Sequence, residues 1–130
     1  MIALDTNILV RLLTRDDPAQ VRAVVRAIRG RRLWVSKTVL LETEWVLRYT
    51  YELAAGVIHA SFGRLMGLAR LEIEDREGVM LALACYAQGL DFADALHLAS
   101  SRDAEAFLSF DRPLAKAAAR MAGVPQVQEP

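Results

Sequence analysis

The chain has 130 residues, of which 54% are hydrophobic and 25% charged, and this size and composition suit one folded domain while excluding a disordered or fibrous protein. Its one cysteine, Cys85, excludes an internal disulfide, and no apolar run approaches the ~20 residues of a membrane span. With no secretory signal at its start either, the chain is expected to be cytoplasmic and to have no membrane partner. The net charge is zero, but the first 32 residues hold seven arginines and only three acids, which suits either a bound phosphodiester or a solvated helix face.

Short apolar runs alternate with helical patterns, so strands and helices are predicted in turn. The predicted strands are 2–4, 33–35, 71–73 and 106–109, with 126–128 as a candidate fifth. Seven helices are predicted. They span residues 6–13, the Asp17 cap to Gly30, the Ser36 cap to Ala55-Gly56, residues 57–69, the Asp75 cap to Gln88, a segment that begins at Asp91, and residues 112–122. Strands separated by helices predict a single α/β domain, residues 1–130, with helices on both faces of a central parallel sheet of four to five strands.

Four acidic residues are predicted to meet at one edge of that sheet. In an open parallel sheet, ligands bind along the edge where the strands end. Asp5 directly follows the first strand, Asp111 closely follows the fourth, and Asp94 lies in the first turn of a helix that starts at the same edge. Glu42 lies about 9 Å down the helix after the second strand, within reach of the same edge.

Glu44 is the alternative to Glu42 on that helix. Arg48 lies four residues after Glu44, which is the favourable orientation for an ion pair on a helix. Glu42 has no basic residue three or four positions away, so its counter-charge must come from elsewhere, and a metal ion is one source.

At the effective dielectric of a protein surface, converging carboxylates repel one another by on the order of several kcal/mol per close pair. A divalent cation bound between them offsets this repulsion. Oxygen ligands favour Mg²⁺ or Mn²⁺ over zinc, and such an ion suits phosphodiester hydrolysis. Taken singly, Asp5 and Asp111 are better explained as helix caps, and Asp94 as the third-position acid of a capping arrangement, but their joint placement at one edge favours the metal site for the set. His97 is interpreted as a packing residue, and a phosphoacceptor switch is a weaker alternative because no lysine directly follows the fourth strand.

Four segments resemble the PIN-domain nucleases, specifically the VapC toxins of bacterial and archaeal toxin–antitoxin pairs. They are Leu-Asp-Thr-Asn from Leu4 to Asn7, Val-Leu-Leu-Glu from Val39 to Glu42 running into Trp45-Val46-Leu47, the run from Asp91 to Ala99, and Ser-Phe-Asp-Arg from Ser109 to Arg112 leading into Leu114. An opening Asp-Thr-Asn alone is weak, but the four segments in this order and spacing are specific to the family.

The resemblance implies a three-layer α/β/α fold, Mg²⁺- or Mn²⁺-dependent endoribonuclease activity, a homodimer, and inhibition by a VapB-like antitoxin whose tail enters the acidic site. The residues that match the family's metal ligands are Asp5, Glu42, Asp94 and Asp111. Asn7 and Ser109 match polar residues that orient the site, and Asp91 either ligates, supports a ligand or only caps its helix. A catalytically idle PIN-like module that binds metal or a basic partner segment is the other reading.

Overall fold

Five strands and seven helices follow one another in the computed structural model of this chain, which describes residues 1–130. The strands are β1 Ile2–Ala3, β2 Leu33–Val35, β3 Leu71–Ile73, β4 Ala106–Leu108 and β5 Gln126–Gln128. The helices are α1 Thr6–Thr14, α2 Pro18–Ile28, α3 Lys37–Tyr49, α4 Ala55–Met66, α5 Arg76–Ala87, α6 Phe92–Ser100 and α7 Arg112–Ala118. This alternation confirms the predicted α/β class, and the chain divides into an N-terminal unit, residues 1–74, and a C-terminal unit, residues 75–130.

The N-terminal unit is built on a parallel sheet in which the strands follow the order β1-β2-β3. Ile2 pairs with Leu33, and Leu33 pairs with Leu71 on its other side. Both pairings are parallel, so all three strands run in the same direction. The ladder continues past β1, where the Leu4 amide donates to the Trp34 carbonyl at 2.9 Å. The residues after β1 and after β2 therefore lie at the same edge of this sheet.

Helices α1 and α3 pack against each other in the N-terminal unit. Leu9 on α1 and Leu40 and Leu47 on α3 are buried, as their helical spacing predicts. Ser36 caps α3 by accepting from the Val39 amide at 3.2 Å, which fixes where that helix begins.

The C-terminal unit is centred on α5 and α6, with β4 and β5 paired in parallel beside α7. Tyr86 and Phe92 join the two helices through an edge-on ring contact with centroids 5.2 Å apart. Cys85 is buried, and burial raises the pKa of its thiol. No helix of the chain combines the length and apolar character needed to cross a membrane.

An ion pair fixes the start of α5. Asp75 caps the helix by accepting from the Gly78 amide at 3.2 Å and also binds the Arg102 guanidinium at 2.7 and 2.9 Å. Its backbone is in the left-handed region, with φ of 50°. A Cβ atom at Gly78 would lie 2.7 Å from Arg102 Nη1, so this position has no room for a side chain.

The prediction of one sheet of four to five strands was wrong in one respect. All five strands form, including the candidate strand at 126–128, but they make a three-stranded sheet and a separate two-stranded sheet. Strand β1 pairs with β2 and is only two residues long. It therefore offers few backbone groups for hydrogen bonds to another strand, and β4 pairs with β5 rather than with β1.

Three predicted helix ends were also wrong, including that of the helix predicted over 57–69, which stops at Met66. Ala55-Gly56 begin α4 rather than end α3, which already stops at Tyr49. Extended backbone at Ala54, with ψ of 150°, separates the two helices. Helix α7 ends at Ala118 instead of continuing to residue 122.

Candidate metal centre

Asp5 lies at the end of β1 and occupies the N-cap position of α1. Its backbone is extended, with φ of −84° and ψ of 164°, yet its side chain accepts no hydrogen bond from the first turn of the helix. The side chain is exposed. Capping the helix therefore does not explain this carboxylate.

Asp5 and Glu42 line the same pocket, which has a volume of about 280 Å³. The other lining residues are Thr6, Asn7, Val10, Arg11, Val46, Thr50 and Tyr51. The packing of α1 against α3 places the start of one helix beside the middle of the other. The pocket exceeds by far the ~10–15 Å³ that a single water needs, so it has room for a hydrated ion or a phosphate group.

Thr6 contributes an unusual feature to this pocket. The residue is 7% exposed, and its hydroxyl oxygen makes no hydrogen bond. A buried hydroxyl without a partner costs about 1–3 kcal/mol. The donors that line the pocket and remain exposed are the carboxylates of Asp5 and Glu42 and the side-chain amide of Asn7, and their hard oxygens fit Mg²⁺ or Mn²⁺ rather than a soft metal.

The structure separates the two acids of α3. Glu44 is 1% exposed and forms an ion pair with Arg48 at 3.0 Å, which confirms the predicted i,i+4 pairing. Glu42 is exposed and lines the pocket with Asp5. Glu44 therefore has a role in the core of the N-terminal unit, and Glu42 is the acid that a ligand can reach.

The three predicted site acids of the C-terminal unit, Asp91, Asp94 and Asp111, lie at helix starts. The Asp91 carboxylate caps α6 by accepting from the amides of Ala93 at 3.1 Å and Asp94 at 3.4 Å. The Asp111 carboxylate caps α7 by accepting from the Leu114 amide at 2.9 Å. The capping explanation that the sequence left open therefore applies to Asp91 and Asp111.

Asp94 lies in the first turn of α6 in negative surroundings. Partial burial raises the pKa of its carboxyl, and the charges of Asp91 and Asp111 raise it further, while His97 acts in the opposite direction. This local concentration of negative charge favours a cation.

Ser109 supports this cluster through the backbone. Its hydroxyl accepts from the Asp111 amide at 3.0 Å, which holds the turn that leads into α7. His97 is exposed in the last turn of α6. Its exposure does not fit the interpretation of His97 as a packing residue.

The predicted site residues thus fall into two groups. The N-terminal unit brings Asp5, Asn7 and Glu42 to one pocket, and in the C-terminal unit Asp94 is electrostatically coupled to Asp91 and Asp111. Within either unit, no group of three or more His, Cys, Asp or Glu side chains is arranged to hold a metal ion.

Sequence reasoning missed two residues of the pocket, Arg11 and Tyr51. A signal existed for Arg11, because it lies four residues after Asn7 and so shares its face of α1. Tyr51 lies beyond the end of α3, where no periodic pattern predicts the direction of a side chain.

The pocket at the edge of the parallel sheet brings together the carboxylates of Asp5 and Glu42, whose oxygens are of the kind that bind divalent cations. The family described as PIN domain matches residues 2–120, so the chain belongs to the PIN-domain family, whose members are generally metal-dependent nucleases. No curated protein and no solved structure gives a significant match to it.

Proposed function

We propose that this protein is a Mg²⁺- or Mn²⁺-dependent endoribonuclease of the VapC type. In this proposal it acts in the cytoplasm as a homodimer and is held inactive by a VapB-like antitoxin. The family match carries the proposal, because residues 2–120 include all four acids that resemble the family's metal ligands. The pocket shared by Asp5 and Glu42 gives independent support, since a ligand can reach both carboxylates.

Asp5, Glu42, Asp94 and Asp111 are the proposed metal ligands. A divalent ion held by these residues would supply Lewis-acid chemistry: it would lower the pKa of a bound water and offset negative charge on the leaving oxygen. The chain's own contribution is positional. Asn7 lines the same pocket, and the Ser109 hydroxyl accepts from the Asp111 amide.

Asp91 is proposed to act through Asp94 rather than on the substrate. Its carboxylate accepts from the Asp94 amide, so it fixes the first turn of α6 from which Asp94 projects. The same carboxylate adds negative charge beside Asp94, which strengthens the attraction for a cation.

The direct test is cleavage of a cellular RNA pool by the purified protein, with Mg²⁺ or Mn²⁺ and with excess EDTA. Asp5→Asn and Asp94→Asn are each expected to lower the cleavage rate on the order of 100-fold or more, because each removes a charged ligand. Asp103→Asn is the matched control, since Asp103 is exposed and outside both groups of acids. Melting temperatures establish that the variants fold.

Equal cleavage in excess EDTA would contradict the metal mechanism. Binding of Mn²⁺ by the wild-type protein without cleavage of any RNA pool would instead support the idle PIN-like module. Sequencing of the new 5′ ends that appear after induction in cells identifies the RNA that is cut, and co-purification with the antitoxin tests the regulatory part of the proposal.

A further inference from the structure

Arg11 is held by neighbouring side chains in one fixed orientation. Its Nε donates to Gln20 at 2.5 Å, and its Nη1 donates to Asp16 at 2.9 Å and to the Tyr51 hydroxyl at 3.0 Å. The Tyr51 hydroxyl in turn donates to the second oxygen of Asp16 at 2.8 Å. The guanidinium thus donates three hydrogen bonds to protein side chains, and the three acceptor residues lie in different segments of the N-terminal unit.

The third nitrogen of this guanidinium, Nη2, donates to no protein atom, and the Arg11 side chain is 30% exposed. A guanidinium oriented in advance loses little conformational freedom when it binds an anion. Arg11 therefore offers one charged and already positioned hydrogen-bond donor to a ligand.

Two adjacent pockets share Arg11. The first contains Asp5 and Glu42, and the second, of about 400 Å³, is lined by Asn7, Ile8, Arg11, Gln20, Ala23 and Val24. Arg11 and Asn7 are common to both pockets, and they lie one turn apart on α1. A chain-like ligand that occupied both pockets would lie along the part of α1 that carries Asn7 and Arg11.

We infer that Arg11 is the phosphate-binding residue of a substrate subsite next to the acidic pocket, which takes a backbone phosphate of single-stranded RNA. This inference rests on the proposed function. The second pocket then receives the nucleotide that follows the phosphodiester at the carboxylates. Tyr51 is a positioning residue, because it contacts Arg11 and Asp16 and fixes the guanidinium.

The chemistry favours a phosphate over other anions. The scissile phosphodiester approaches carboxylates that repel it unless a cation intervenes, so a fixed positive charge on the next phosphate helps retain the strand. Asp16 neutralises part of the Arg11 charge but is itself 43% exposed, so solvent weakens that ion pair.

The test measures binding of a fluorescein-labelled single-stranded RNA of randomised sequence across a series of salt concentrations. All proteins carry Asp94→Asn, so cleavage does not consume the probe. Arg11→Gln is expected to weaken binding about tenfold at low salt and to reduce the slope of log K against log salt by about 0.7, the value for one lost phosphate contact on a single strand.

Arg31→Gln is the matched control. It removes the same charge from an exposed arginine that precedes β2, at the opposite edge of the sheet from Asp5. It is expected to change neither affinity nor slope appreciably. Equal effects of Arg11→Gln and Arg31→Gln would overturn the inference, because the arginine would then act only through net charge.

Arg11→Lys covers the case in which loss of the hydrogen-bond frame prevents folding. Lysine keeps the charge but lacks the planar fork, so weaker binding with an unchanged salt slope is expected. Unchanged affinity and slope in this variant would contradict the inference. If the wild-type protein cleaves RNA but Arg11→Gln binds RNA as tightly as Arg31→Gln does, only the subsite inference is overturned. If the wild-type protein does not cleave RNA but Arg11→Gln binds RNA more weakly than Arg31→Gln does, only the proposed function is overturned.

Discussion

The two units of this chain surround their acidic side chains differently. In the N-terminal unit, Asp5 and Glu42 line a pocket that also contains a cation, Arg11, and Asp5 takes no part in capping its helix. In the C-terminal unit, Asp94 is surrounded by like charge, and its neighbours Asp91 and Asp111 both cap helices.

This difference shows that position at a helix start does not by itself reveal what a carboxylate does. Asp5 and Asp111 both follow a strand and both occupy an N-cap position, yet only Asp111 accepts a hydrogen bond from its helix. The N-terminal carboxylate is available for a ligand, whereas the C-terminal one has a structural contribution as well. We therefore expect substitution of Asp5 to affect ligand binding without lowering the free energy of unfolding. Substitution of Asp111 should lower the free energy of unfolding, whatever its effect on ligand binding.

The largest effect on stability is expected from the ion pair of the N-terminal unit in which the glutamate, Glu44, is buried. Arg48→Met removes the ion-pair partner of Glu44, which is 1% exposed, and should lower the free energy of unfolding by about 3–5 kcal/mol. Arg102→Met in the C-terminal unit is the counterpart. It should cost only about 1–2 kcal/mol because Asp75 is 22% exposed and water compensates for the lost pair. Urea denaturation measures both values, and equal losses would contradict the assigned difference in burial.

A smaller effect is expected when the two N-cap acids are truncated. Asp111→Ala removes the hydrogen bond to the Leu114 amide and should cost about 1 kcal/mol. Asp5→Ala removes no cap hydrogen bond and should cost less than about 0.5 kcal/mol. Thermal unfolding of the metal-free proteins checks this pair, and a loss at Asp5 as large as that at Asp111 would show that both acids stabilise their helices.

The smallest expected effect is a change in the titration of Asp16. The Tyr51 hydroxyl is the main cause that lowers the pKa of this carboxyl, with smaller contributions from Thr14 and Arg11. A lowered pKa in the folded state adds stability above the pKa of the unfolded chain, and that stability is lost as the pH falls through the folded value. Tyr51→Phe should therefore raise the pKa of Asp16 and weaken this acid dependence. Carboxyl chemical shifts during a pH titration measure the change, and an unmoved Asp16 pKa would contradict the assigned hydrogen bond.

Local patterns predicted much of the fold because they depend on short stretches of chain. The helices capped by Asp17, Ser36 and Asp75 begin where the side chains predict, and the strand at 126–128 forms as expected. Strand partnership was not predictable in the same way. It depends on which backbone edges meet, and the two-residue length of β1 has no sequence signal.

The candidate site was predictable where a residue follows a strand or repeats along a helix. The choice of Glu42 over Glu44 followed from the position of Arg48, and the structure places Glu44 in an ion pair with it. Tyr51 was not predictable as a pocket residue, since its contacts with Arg11 and Asp16 bring together segments 35 to 40 residues apart in sequence. Such contacts arise only after the helices have packed.

Burial of the only thiol has a practical consequence. Because Cys85 is 1% exposed and its pKa is raised, maleimide reagents should react poorly with it in the native protein. A cysteine introduced at an exposed position such as Arg31 would then carry a single dye without removal of the natural residue, so fluorescence can report the arrival of a strand on an otherwise unaltered protein.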